Sequence, residues 1–218
     1  MMRKKRVVPL ILTFSLLSGI VFVQLNQKES VSANSINYES LAKYVKNYKS
    51  VQSKKSSNII NEKKFAEQYF FKKYLTSVRL SDSEAKKLAF EKVIEEKALI
   101  EKAKNENLLA LEVEAKKMSD DVRNLLINEP EENKEVIDNV KDVINGLGIT
   151  EDEYYNEFLM ESYITSISID NLFNKVTEGY NEAAKEQIWD EFKTSEKSKF
   201  IAENKESINE FLIVHAIN

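Results

Sequence analysis

The stretch that decides the fold is residues 81–105, with the sequence SDSEAKKLAFEKVIEEKALIEKAKN. Ser81 followed by Glu84 predicts a capping box, in which the hydroxyl and the carboxylate satisfy free amides of the first helical turn. At about 100° per residue, the apolar side chains form two opposed faces. Because a surface helix has a single apolar stripe, this pattern predicts a central helix with partners on both sides. The first face comprises Ala85, Leu88, Ala89, Val93, Leu99, Ile100 and Ala103, the second comprises Phe90, Ile94 and Ala98, and Glu96 interrupts the first face, where it needs a partner or a wet edge.

The residues on either side of this stretch predict further helices. Pro130 ends one of them, because proline disfavours helical geometry in the residue before it. Thr150 and Glu153 form a second capping box, and the helix that they begin is apolar around nearly its whole circumference. The apolar run 211–217 is more typical of a short strand than of a helix. Helices are thus expected at about 61–78, 81–105, 112–127, 131–144, 150–176 and 182–209, in a mainly α, multi-helix domain with a short C-terminal strand.

Composition excludes several classes of function. The 218 residues include no cysteine, which rules out disulfides, thiol catalysis and thiolate metal sites. The single histidine, His215, rules out a histidine metal cluster and is expected to be a hydrogen-bonded structural residue. A net charge of −4 with interleaved lysines does not suit nucleic acid. Because no spacing selects a catalytic pair, we expect neither enzyme activity nor a cofactor, a metal or catalytic residues.

The N-terminal segment predicts export. Four basic residues, 3–6, precede an apolar run, 7–23. Polar residues follow, and then Val31, Ser32 and Ala33 at the cleavage site, in the order of a secretory signal. Cleavage after Ala33 is favoured. The alternative is an uncleaved membrane anchor, for which the apolar run is close to the shortest possible length. In both cases the folded part lies outside the cytoplasmic membrane, either secreted or anchored by residues 7–23. The chain divides into a signal peptide or anchor (1–33), a polar linker that could hold a short helix (34–58) and a helical domain (59–218).

Two helical stretches carry a family resemblance: FEKVIEEKALIEKAKNENL, residues 90–108, and LGITEDEYYNEFLMESYI, residues 147–164. Together they resemble the N-terminal domain of SurA-type chaperones, which also occurs in the extracytoplasmic foldases called PrsA. In that family a tryptophan-containing helix and a strand pack back on the domain, and Trp189 and residues 211–217 resemble these elements. Leu111 departs from the pattern, since the family usually has a capping Ser or Thr there. The strand that opens the domain in the family is also poorly matched.

The resemblance implies an extracytoplasmic peptide- or protein-binding module with a chaperone-like role. Its partners would be unfolded or exported polypeptides, bound without nucleic acid and with membrane contact only through the N-terminal segment. The parvulin isomerase module common in the family is absent, so isomerase activity is not implied. The alternative is a dedicated partner-binding or structural envelope protein that reuses the same helical fold.

Aromatic residues are the candidate binding residues. Their rings offer a large contact area that tolerates many client sequences, although filling the core is their commoner role. Tyr69, Phe71 and Tyr74 are favoured for exposure because Lys72 and Lys73 lie beside them. The resemblance to a peptide-binding domain gives as candidate peptide-binding residues Phe65, Tyr69, Phe71, Tyr74, Tyr154, Tyr155 and Phe158.

Overall fold

The structure is a computed structural model that describes residues 38–47, 59–75, 80–128, 130–131 and 133–217. All regular secondary structure in these ranges is helical, which confirms the predicted mainly α class. Two π-helical turns interrupt the α-helices: the first π turn (Phe71–Leu75) extends α2, and the second π turn (Tyr154–Phe158) follows α6. In chain order the helices are α1 (Tyr38–Asn47), α2 (Glu62–Phe70), α3 (Asp82–Asn105), α4 (Glu112–Asn128), α5 (Lys134–Leu147), α6 (Glu151–Glu153), α7 (Met160–Val176), α8 (Glu182–Glu203) and α9 (Lys205–Val214).

Part of the predicted domain organisation lies outside these ranges. The signal peptide or anchor, residues 1–33, and the flanks of the predicted linker are not among the described residues. Of the helices that are described, none combines the length and the apolar character needed to cross a bilayer. The short helix that the sequence allowed within 34–58 is α1, which packs against α5 and contributes Tyr38 and Ala42 to a buried cluster.

Helix α3 lies at the centre of the fold. Its capping box is present in both directions between Ser81 and Glu84. Every residue from 91 to 100 is buried or half-buried, because α2, α7 and α8 pack around the helix. This arrangement confirms the predicted burial on both faces, and Glu96 has a partner in Lys64 of α2. Leu88 is the exception to the predicted first face, since it is 39% exposed where the neighbouring helices leave that turn open to solvent.

Three clusters of buried side chains hold the helices together. The first cluster joins α1, α4 and α5 to the second π turn, with Tyr38, Val140 and Tyr154 among its members. The second cluster joins α2, α3, α8 and α9, and the third joins α3 to α7. Because α3 contributes to two of these clusters, it connects the C-terminal helices to the rest of the protein.

The C-terminal half differs from the sequence prediction in three places. The predicted helix 150–176 is interrupted by the second π turn, and the predicted helix 182–209 breaks at Asn204. The predicted strand 211–217 is wrong, because α9 continues to Val214 and ends in a cap with Ala216 at a φ of 50°. The Ile217 N–H donates to the Leu212 carbonyl in that cap, as in a Schellman motif. A strand at this position would leave its backbone groups unpaired, since the described residues contain no other strand.

Candidate functional site

Aromatic side chains at the end of α2 and at the start of the first π turn pack against the first cluster. Phe71, the first residue of that turn, packs against the part of the cluster that contains Tyr154 and Tyr163. Phe70, the last residue of α2, packs against the same cluster and also contacts the rings of Tyr44 and Tyr74. Such π-helical turns are rare and frequently occur at functional sites.

Three aromatic rings from α1, α2 and the first π turn meet at the surface. The ring centroid of Phe70 lies 4.7 Å from that of Tyr44 and 4.9 Å from that of Tyr74. Tyr74 is 60% exposed, whereas Tyr44 and Phe70 are half-buried. We call Tyr44, Tyr69, Phe70 and Tyr74 the tyrosine surface. Because its residues come from elements distant in the chain, the tertiary fold has to be formed before this surface exists.

Tyr69 attaches the tyrosine surface to α3. Its hydroxyl donates a hydrogen bond to Asp82 Oδ1 at 2.5 Å, and the Lys86 ammonium lies 3.0 Å from Oδ2 of the same carboxylate. The Tyr69 hydroxyl, followed by Lys86, lowers the pKa of Asp82. Burial, followed by the bond to Asp82, raises the pKa of Tyr69, and burial, followed by Tyr74, raises that of Tyr44. Near neutral pH, Tyr44 and Tyr69 therefore carry uncharged hydroxyls.

Lysines border the aromatic side chains of the first π turn. The ammonium of Lys72 lies 5.9 Å from the ring centroid of Phe71, within the range of a cation–π contact. The ammonium of Lys73 donates a hydrogen bond to the Leu80 carbonyl at 3.1 Å. Lys72 and Lys73 thus lie next to the tyrosine surface, where the Asp82 carboxylate is also present.

The second set of predicted aromatic residues lies mostly inside the protein. Tyr154 and Tyr155 are 1% and 5% exposed, and Tyr154 stacks on the half-buried Phe158 with centroids 5.8 Å apart. The Arg123 guanidinium lies 5.5 Å from the ring centroid of Tyr155. Burial, followed by Glu151, raises the pKa of Tyr155 to about 12. These contacts pack the second π turn against α4.

The structure brings together only part of the predicted set. Tyr69 and Tyr74 belong to the tyrosine surface, and Phe71 packs in the same cluster as Tyr154, Tyr155 and Phe158. Phe65 is 4% exposed and belongs to the second cluster, where its ring contacts Phe211 and His215.

Sequence reasoning missed Tyr44 and did not select Phe70. The available signal for Tyr44 was an aromatic residue in a short amphipathic helix. The contact between α1 and the end of α2 is not encoded in the local pattern of either helix. Within the ranges that the structure describes, no group of three or more His, Cys, Asp and Glu side chains is arranged to hold a metal ion.

The fold defines a mainly α, multi-helix protein with aromatic residues on two π-helical turns. No family model matches the chain, and no solved structure matches it. The glutamate-rich protein GrpA of Alkalihalophilus pseudofirmus is 31% identical to it over 133 residues, which span 61% of this chain and 81% of that protein. The chain therefore belongs to the family of glutamate-rich protein GrpA. Glutamate is also frequent here, since it supplies 28 of the 36 acidic residues.

Proposed function

We propose that this protein is an extracytoplasmic polypeptide-binding module with a chaperone-like role, which holds exported or unfolded clients and has no isomerase activity. The observation that carries the proposal is the contact of Tyr44, Phe70 and Tyr74 on the surface, with Tyr74 60% exposed. Tyrosine rings are rigid and amphipathic, so they bind apolar side chains while their hydroxyls hydrogen-bond the client backbone. Such contacts depend little on client sequence.

The anchoring of this surface supports a binding role. The bond from Tyr69 to Asp82 and the packing of Phe71 hold the first π turn in place before a client arrives. A preformed surface loses less conformational entropy on binding than one that must first order its side chains.

A SurA N-terminal type of architecture is part of the proposal. It is supported by the enclosed central helix α3, by the capping box at Thr150 and by Trp189, whose ring lies 5.4 Å from Phe173 of α7 and 5.5 Å from Phe192. The helical α9 departs from the strand expected of that family. The signal-like order of residues 3–33 supports a location outside the cytoplasmic membrane.

Aggregation of a chemically unfolded client, followed by light scattering, tests the proposed role. We expect the protein to slow aggregation, and we expect Tyr74→Ala combined with Tyr44→Ala to abolish most of that effect. Tyr180→Ala is the matched control, because Tyr180 is 49% exposed but lies outside the tyrosine surface. The proposal fails if the protein protects no client, or if the Tyr180 control loses as much protection as the double variant.

Photocrosslinking from position 74 in the cell envelope separates the two candidate roles. Many crosslinked polypeptides would support a module for unfolded clients. A single discrete product would instead support the alternative, a dedicated partner-binding or structural envelope protein. Leu111 and Val113 at the start of α4 are 64% and 69% exposed, and a second apolar contact surface of this kind favours the alternative. A crosslinker at each of these two positions tests it in parallel.

A further inference from the structure

His215, the only histidine in the chain, lies at the end of α9 between two phenylalanine rings. Its ring centroid is 4.2 Å from that of Phe211 and 4.9 Å from that of Phe65 on α2. The Nε2 atom is shielded from solvent and has no hydrogen-bond partner among the described residues. The Nε2 atom therefore does not make the hydrogen bond that the sequence analysis expects of this histidine.

The charged groups around His215 favour a neutral imidazole. From α3, Lys86 is close enough to act on the ring, and burial, followed by Lys86, lowers the pKa of His215. Lys86 is itself paired with Asp82. From α2, Glu62 lies one turn before Phe65, but its shielded Oε2 has no hydrogen-bond partner within the structure and so does not bond the imidazole. From α8, Phe200 and Ile201 pack in this cluster.

Helix α9 covers an apolar surface through the residues next to His215. The Phe211 ring lies 5.0 Å from Phe65 and 6.1 Å from Phe90 of α3, measured between ring centroids. Ile208 and Ile217 are 2% and 8% exposed in the same cluster. Because α9 joins α8 at the break around Asn204, it could leave this surface without unfolding α8.

We propose that His215 is an acid-sensitive latch, whose protonation releases α9 from α2 and α3 and uncovers the apolar surface around Phe65 and Phe90. A protonated imidazole carries a full charge and an N–H donor on each nitrogen, and the shielded Nε2 has no hydrogen-bond partner among the described residues. The lowered pKa means that docked α9 binds fewer protons than released α9. Docking is therefore strongest above the ordinary histidine pKa of 6.5 and weakens as the pH falls below it.

A single introduced cysteine can report on docking, because the chain has no cysteine of its own. Ile217→Cys places a thiol in the contact, and its protection is the labelling rate in the unfolded chain divided by that in the folded chain at the same pH. We expect protection to fall by up to about tenfold between pH 7.5 and pH 5.5. The uptake of one proton can change the docking equilibrium by at most about tenfold for each pH unit below 6.5, and pH 5.5 lies one unit below it. Leu126→Cys, 5% exposed in the first cluster, should keep its protection.

Variants of His215 show whether its protonation causes the loss of thiol protection at low pH. His215→Leu should keep α9 docked at both pH values, whereas His215→Lys, which is always charged, should leave the thiol at position 217 poorly protected at both. The thiol-labelling measurements include an Asp170→Asn background, because burial raises the pKa of Asp170 to about 7 and its titration would overlap the same pH range. The proposal is overturned if protection does not change with pH, if His215→Leu shows the same loss, or if the thiol at position 126 loses protection to the same degree.

A measurement on the unmodified chain guards against a disturbance by the new thiol. The Cε1 proton of His215 is a unique NMR signal, since no other histidine is present. Its titration midpoint should lie below 6.5, and the amides of α9 should lose exchange protection over the same pH range. A midpoint at or above 6.5 would contradict the latch.

Discussion

Lys64 and Glu96 face each other across the contact between α2 and α3, with the ammonium nitrogen 2.9 Å from the carboxylate oxygen. The two side chains are only 23% and 13% exposed. Glu161 of α7 lies 3.2 Å from the same ammonium, so Lys64 connects three helices. Burial lowers the pKa of Lys64, but Glu96 and then Glu161 outweigh that effect and raise it above its ordinary value.

We expect Lys64→Met to lower the free energy of unfolding by about 2–3 kcal/mol, because it leaves the Glu96 carboxylate shielded and without its cation. Adding Glu96→Leu should recover most of this loss, since the unpaired charge is then removed as well. Urea denaturation of the single and double variants measures both values. Lys97→Met is the control: its partner Glu101 is 49% exposed, and an exposed pair of this kind contributes less than about 1 kcal/mol. Equal losses in the Lys64 and Lys97 variants would contradict this account.

Gly146 sets the distance between α1 and α5. A methyl group at this position would lie 2.6 Å from the Glu39 carbonyl oxygen and 2.7 Å from the Ala42 methyl group. Gly146→Ala should therefore push α1 away and lower the free energy of unfolding by about 1–3 kcal/mol. The higher helix propensity of alanine offsets about 1 kcal/mol of this loss. Hydrogen exchange should show faster exchange of the α1 amides in particular.

Gly179→Ala is the control for this experiment. Gly179 has a φ of 82°, and nothing lies within 4 Å of the position of its added methyl group. Alanine there should destabilise the chain through backbone strain, by about 1 kcal/mol, while leaving the protection of α1 unchanged. If Gly146→Ala left α1 as well protected as Gly179→Ala does, the close approach would not be what holds α1 in place.

Asp170 of α7 is a partly buried carboxyl group, and burial raises its pKa to about 7. Between the ordinary value of 3.8 and about 7, the unfolded chain loses this proton while the folded chain keeps it, so stability falls as the pH rises and the loss is complete above pH 7. Asp170→Asn should therefore stabilise the protein, with a gain that is absent near pH 3 and largest at pH 8. We expect a gain of about 1 kcal/mol at pH 8, since partial exposure screens the charge. Thermal unfolding across pH 4–8 measures it, with the exposed Asp190→Asn as the control, and a gain that does not grow with pH would refute the expectation.

Local signals in the sequence predicted much of the fold. The capping boxes at Ser81 and Thr150 both form, and they place the starts of α3 and α6 correctly because capping is decided within one helical turn. The two-sided burial of α3 also followed from its apolar pattern. Pro130 separates α4 from α5, as expected.

Features that depend on contacts between distant residues could not be predicted in this way. Periodicity could not place the two π turns, the first of which carries Tyr74 of the tyrosine surface. The tail 211–217 has a strand-like composition, but helix α9 buries Ile208 and Ile217 against α2 and α3 without needing a partner strand. Ser168 of α7 is a polar residue, yet it is completely buried.

The burial of Ser168 has a specific cause and a measurable consequence. Its hydroxyl donates to the Ile164 carbonyl at 2.6 Å and accepts a hydrogen bond from the Ala110 N–H at 2.8 Å. Ala110 lies between α3 and α4, and it is 8% exposed. Ser168 thus satisfies a buried backbone donor and ties the α3–α4 connection to α7.

Ser168→Ala should cost about 1–3 kcal/mol, because it leaves the Ala110 N–H shielded from water and without an acceptor. The Ala110 amide should also exchange faster with solvent than its neighbours, which a general loss of stability would not produce. Ser198→Ala is the matched control: the Ser198 hydroxyl makes the same bond to the carbonyl four residues earlier, at 2.8 Å, but on the exposed face of α8. Its cost should stay below about 0.5 kcal/mol. A similar cost for both serines would mean that the bond to Ile164, and not the one from Ala110, accounts for the effect.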